Sequence, residues 1–146
     1  MKVPGLRSPH DKIGGIVYFA RMLDKIRLHA QGKLPADYRD NLGSGLDDRC
    51  VKLLHVNYAG LVERVKQGGS DDEILTWCFQ TGRKPSDEEI EIWNDFMRKR
   101  GWRDVGSKRL AERLKESGFE RRTDIETFFD FIDADEGRPL RDWAAG

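Results

Sequence analysis

The chain reads as one all-α domain spanning residues 1–146, an irregular bundle of six to eight helices with no sheet. Three observations predict this. Apolar residues recur three and four apart in segment after segment, and the segments are bounded by Ser or Asn before and Gly after. No run alternates apolar and polar residues over four or more positions. The length suffices for a core without cross-links. Charged residues reach 36% against 38% apolar, yet seven Phe, three Tyr and four Trp can fill an interior.

Ser8-Pro9-His10-Asp11 supplies an N-cap, a proline at the first helical position and an early acid. The first helix is then expected over residues 13–30, ending near Gln31 with Gly32 as a left-handed stop. Gly14-Gly15 costs such a helix about 1 kcal/mol each relative to Ala. Close approach of another backbone, or of a ligand, would explain that cost. Pro35-Ala36-Asp37-Tyr38 starts a short second helix, ended by Gly43-Ser44-Gly45. Residues 46–56 are helical by pattern, and Asn57 caps a further helix that Gly68-Gly69 stops. Two capping boxes follow sixteen residues apart, Ser70-Asp71-Asp72-Glu73 and Ser86-Asp87-Glu88-Glu89, each with an Ile and a Trp three apart behind it. Two such units are too few for a solenoid. Helices over residues 105–117 and 124–132 complete the set, the last with Ile125, Phe128, Phe129 and Ile132 as its apolar stripe.

Net charge is zero but segregated. Residues 1–69 carry 12 Lys/Arg against 7 Asp/Glu, 70–95 carry 2 against 8, 96–122 carry 10 against 4, and 123–146 carry 2 against 7. Acidic and basic helices should therefore pack side by side, and a nucleic-acid partner is disfavoured because no single basic face dominates. The N-terminal residues lack an apolar signal region, and the longest apolar run, residues 16–20, is far short of the roughly 20 a membrane span needs. Cys50 and Cys78 lie too far apart for a paired-ligand motif. A cytoplasmic chain with two reduced thiols, no membrane segment and no cofactor is expected. His10, His29 and His55 share no zinc spacing, and residues 130–137 lack the order of a calcium loop, so no metal site is expected.

Candidate site residues cluster on the first helix. Asp24 and Arg27 fall within its apolar face, where an unpaired charge is prohibitive but two opposite charges three apart can neutralise each other. They form either an ion pair anchoring another helix end or a ligand contact. Tyr18, Arg21, Lys25 and His29 run along the less apolar side at steps of three and four. This stripe suits a carboxylate or phosphate, with His29 as the acid or base; otherwise it is a solvated face that pairs with the acidic helices beginning at Ser70 and Ser86. Cys78 reads as a buried inert thiol in preference to a nucleophile.

Residues 3–9 through 24–29, the stretches around Trp77-Cys78-Phe79, Trp93-Asn94-Asp95-Phe96-Met97 and Lys99-Arg100-Gly101-Trp102-Arg103-Asp104, and the ending Phe128-Phe129-Asp130-Phe131-Ile132-Asp133 resemble an uncharacterised bacterial family, domain of unknown function 5069. The resemblance covers nearly the whole chain and implies a single-domain cytoplasmic protein. It implies no catalytic residue. The leading expectation is a domain that binds, and could act on, a small anionic metabolite in a pocket lined by the first helix. Tyr18, Arg21, Asp24, Lys25, Arg27 and His29 would line that pocket. The rival is a non-catalytic adaptor that docks a protein partner through a charge-segregated surface bearing Tyr18 and Trp102. A weak nucleic-acid binder using the 96–122 basic block comes third.

Overall fold

The computed structural model describes residues 1–142. Eight helices are present among them: α1 Phe19–Ala30, α2 Ala36–Arg39, α3 Leu46–Leu54, α4 Tyr58–Lys66, α5 Asp71–Thr81, α6 Asp87–Lys99, α7 Ser107–Glu116 and α8 Phe128–Asp135. Helix caps were the surest guide. Ser70 and Ser86 both close full capping boxes, and Asn57 accepts from Gly60 N as the N-cap of α4. The last helix starts four residues later than expected, because the Thr127 hydroxyl accepts from Asp130 N.

The start of the first helix is a correction, as is the absence of a sheet. Residues 12–17 form a two-stranded antiparallel hairpin, β1 Lys12–Ile13 and β2 Ile16–Val17, with Ile13 opposite Ile16. Gly14 and Gly15 have φ of 57° and 79°. A two-residue loop of this kind needs positive φ at both positions, which Gly-Gly meets at little steric cost. The glycines therefore turn the chain and do not lie inside a helix. The outer edge of β2 is covered by α6: Val17 N donates to Asn94 Oδ1 at 3.1 Å, and Trp93 Nε1 donates to Val17 O at 3.2 Å.

Helix α1 follows at once and is the centre of the molecule, with nine of its twelve residues buried. Its Phe19, Met22, Leu23 and Ile26 join the hairpin, α3, α4, α5, α6 and Phe129 of α8 in the main core. The N-terminal segment packs Val3 and Leu6 on Leu28 and Leu34, and Leu110, Ile125 and Phe131 form a third cluster under α7. Cys50 and Cys78 are both buried in the main core as free thiols. Burial holds the Cys50 thiol well above its ordinary pKa and pushes Cys78 up to about 12, so both are packing groups.

Candidate functional site

The polar side of α1 carries three charge networks, each reaching to a different part of the chain. Asp24 is buried, and its principal partner is Arg7 of the N-terminal segment. The Arg7 backbone N and Nε both donate to Asp24 Oδ2 at 2.9 Å, and Nη2 donates to Oδ1 at 3.0 Å. Arg27 stands 4.0 Å from Asp24 but 2.7 Å from Asp71, the first residue of α5. Arg7 Nη1 also donates to Asp71, at 3.0 Å. The predicted Asp24–Arg27 pair is thus opened into a four-membered ring that docks the N-terminal segment and the acidic start of α5 onto α1. Burial works against the Asp71 carboxylate, but hydrogen bonds from Arg27 and Arg7 hold its pKa below the usual range.

One turn away, Arg21 is 4% exposed and grips Glu136 at the end of α8 with two hydrogen bonds of 2.8 and 2.7 Å. Glu136 also accepts from Tyr38 Oη at 2.8 Å and from Arg138 Nη1 at 2.6 Å. Burial alone would raise the Glu136 pKa; its donors, Arg21 foremost, pull it below the ordinary value. A bidentate guanidinium–carboxylate pair with its remaining lone pairs filled is the form in which buried charge is tolerated.

The third network is the most enclosed. Lys25 Nζ lies 2.8 Å from Asp47 Oδ1 and 3.1 Å from Tyr18 Oη, while the Tyr18 hydroxyl donates to the same Asp47 oxygen at 2.6 Å. Gly43 N donates to the other carboxylate oxygen at 3.0 Å. Asp47 is fully buried and Lys25 is 5% exposed. Burial pulls the Lys25 pKa down, although Asp47 opposes the shift. Tyr18 holds its place at the start of α1 with a left-handed backbone, φ 74°. Such a conformation is strained for a non-glycine residue, and burial together with the Asp47 contact maintains it.

Five of the six candidates, Tyr18, Arg21, Asp24, Lys25 and Arg27, are therefore engaged inside the fold. They reach four separate partners, Arg7, Asp71, Glu136 and Asp47. The expected solvated stripe is a correction: Tyr18, Arg21 and Lys25 are buried, and they meet Asp47 and Glu136, not the acids at Ser70 and Ser86. Asp24 and Arg27 match the helix-anchoring alternative through Asp71. Tyr18 is 3% exposed and Trp102 44%, so the two do not form the flat exposed patch expected of an adaptor. Sequence reasoning missed Arg7, Asp47, Asp71 and Glu136 as partners. Their contacts cross 17 to 115 residues of chain and leave no local periodic signal.

His29, the sixth candidate, is exposed and stands elsewhere. It borders a groove of about 470 Å³ with Ile26 and Ala30 of α1, Leu42, and Tyr58, Val62 and Lys66 along α4. The lining is mostly apolar and includes one imidazole and one ammonium. Lys66 is partly engaged by Glu63 at 3.5 Å, an exposed pair of little energetic weight. A second depression of about 420 Å³ between α4 and α5 sets Arg64 beside Asp72 and Glu73, so its charges offset one another.

Residues 3–138 match the family model Domain of unknown function (DUF5069). The chain belongs to this family. A comparison with curated proteins finds no match. Among the described residues, no helix is long and apolar enough to cross a membrane.

Proposed function

We propose that this DUF5069 protein binds a small amphipathic anion in the groove between the C-terminal half of α1 and α4. The observation that carries the proposal is the groove's lining: Ile26, Ala30, Leu42 and Val62 supply apolar surface, and His29, Lys66 and Tyr58 supply polar groups. Small-molecule sites combine a mostly apolar concavity with a few placed polar groups, and about 470 Å³ lies within their usual range of roughly 300–1,000 Å³. The apolar part of a carboxylate or phosphate ester would lie on that apolar surface and its anionic end would meet Lys66 and His29. The proposal is one of binding, with His29 and Lys66 as the groups that meet the anion. Two buried free thiols support a cytoplasmic setting.

Calorimetric titration with a series of medium-chain carboxylates and their phosphate-ester counterparts tests the site. Binding should strengthen with apolar length and weaken at least tenfold in Lys66→Ala and in His29→Ala. It should survive in Arg27→Ala, whose side chain the groove does not include. Equal loss in all three variants, or no binding by the wild type across both series, would end the proposal.

A further inference from the structure

We propose that the exposed face of α6 is a self-complementary surface on which a second copy of this chain docks antiparallel across a two-fold axis. The face is a stripe of Glu88, Glu91, Ile92, Asp95, Phe96 and Lys99, all exposed. Two of these residues belong in an interior: Ile92 is 61% exposed and Phe96 40%. The helix is also electrically polarised. It opens on Asp87, Glu88 and Glu89 and closes on Arg98 and Lys99. The guanidiniums of Arg49 and Arg100 lie 5.4 and 5.8 Å from the Phe96 ring centre, and Arg103 lies 4.8 Å from that of Trp102. Arg100 is partly engaged by Asp104 at 3.7 Å; among the described residues Arg49 and Arg103 have no carboxylate partner.

An acidic peptide or a nucleic acid would suit Arg49, Arg100 and Arg103 but would be repelled by Glu88, Glu91 and Asp95 on the same stripe. A surface carrying both signs at opposite ends of one helix is complementary to itself, turned around. A two-fold axis at the level of residue 94 sets Ile92 against the partner's Phe96 and brings Glu88 to the level of the partner's Lys99. Every such contact then occurs twice, as an isologous interface requires. A helix of this length spans about 20 Å, too little for the roughly 800 Å² per subunit of a stable interface. Trp102 and Val105, 44% and 89% exposed beside the C-terminal end of α6, supply further apolar area.

The test uses reciprocal charge reversal with light scattering and sedimentation equilibrium from micromolar to near-millimolar protein. The wild type should approach twice the 16.8 kDa chain mass. Glu88→Lys with Glu91→Lys turns the acidic end of the stripe basic, and Lys99→Glu with Arg103→Glu turns its basic end acidic. Each double variant alone should be monomeric, its dissociation constant raised at least tenfold, and an equimolar mixture should recover the dimer mass. Phe96→Glu, at a side chain 40% exposed, should be monomeric while keeping the wild-type helix content by circular dichroism. A monomeric wild type at all concentrations, double variants that still dimerise, or a mixture that does not associate would each overturn the proposal. So would a monomeric wild type that binds a single-stranded oligonucleotide, with the affinity lost in the acidic variant.

Discussion

Asp47→Asn is the most informative single substitution in this fold, because it separates a buried charge from its partner while barely changing shape. Lys25 Nζ and Asp47 Oδ1 are 2.8 Å apart with both side chains almost wholly enclosed. At an effective dielectric constant near 20 their gross attraction is about 6 kcal/mol, and desolvation of each ion offsets several kcal/mol of it. The net value of the pair is therefore small, whereas removing one member strands the other. Asp47→Asn should cost about 3–5 kcal/mol, which lowers the melting temperature by roughly 10–15 °C at this chain length. Lys25→Met should cost less, because Asp47 keeps the Tyr18 hydroxyl and Gly43 N as donors. The double variant should be more stable than Asp47→Asn alone, with a coupling of about 2 kcal/mol in a urea-denaturation cycle. The pH response carries the sign. Burial already lowers the Lys25 pKa, and without Asp47 the folded state holds a neutral amine while the unfolded chain binds a proton. Stability of Asp47→Asn should then rise with pH up to the ordinary lysine range, by up to ~1.4 kcal/mol per unit. Additive single costs, or a deficit that ignores pH, would refute the account of Lys25 as a charge sustained by Asp47.

Two further outcomes are expected. At Gly82 an added Cβ would sit 1.9 Å from the backbone oxygen of Leu54, so Gly82→Ala should cost about 3 kcal/mol or more in urea titrations; Gly14→Ala, strained at φ 57° and 2.5 Å from a movable Leu75 methyl, should cost less. His10 lies edge-on to Phe129 at 5.0 Å and 3.9 Å from Asp133; burial, with Arg141 and Arg98 nearby, lowers its pKa to about 4. The folded state then binds fewer protons than the unfolded chain between pH 6.5 and 4, so stability should fall as pH drops through that window. Burial raises the Asp133 and Asp130 carboxyls, which offsets part of the loss. His10→Gln should flatten the wild-type acid limb measured by urea denaturation, and an unchanged limb would show that other groups govern it.

Caps, stops and helical spacing are properties of a few consecutive residues, and they were legible in the sequence. Ser70, Ser86 and Asn57 declared their helices, and α3 to α6 lie where the pattern put them. The hairpin was written there too, as Gly-Gly between β-branched residues, but the apolar spacing of residues 13–20 also fits a helix and hid it. Asp24 is buried as expected, though not within a helix that begins at residue 13: residues 12–17 are the hairpin, and the N-terminal segment covers Asp24 with Arg7.

The sequence by itself placed Asp24 and Arg27 within the apolar face of the first helix, but the burial of Arg21 and Lys25 was not written there. Only the tertiary structure decided which partners would meet them, Arg7, Asp71, Glu136 and Asp47 for five of the six candidates, while His29 came to border a groove. The physical reason is range. Helix periodicity and capping act over three or four residues, whereas Arg21 meets Glu136 across 115 residues of chain, a contact that exists only after the elements between them have packed.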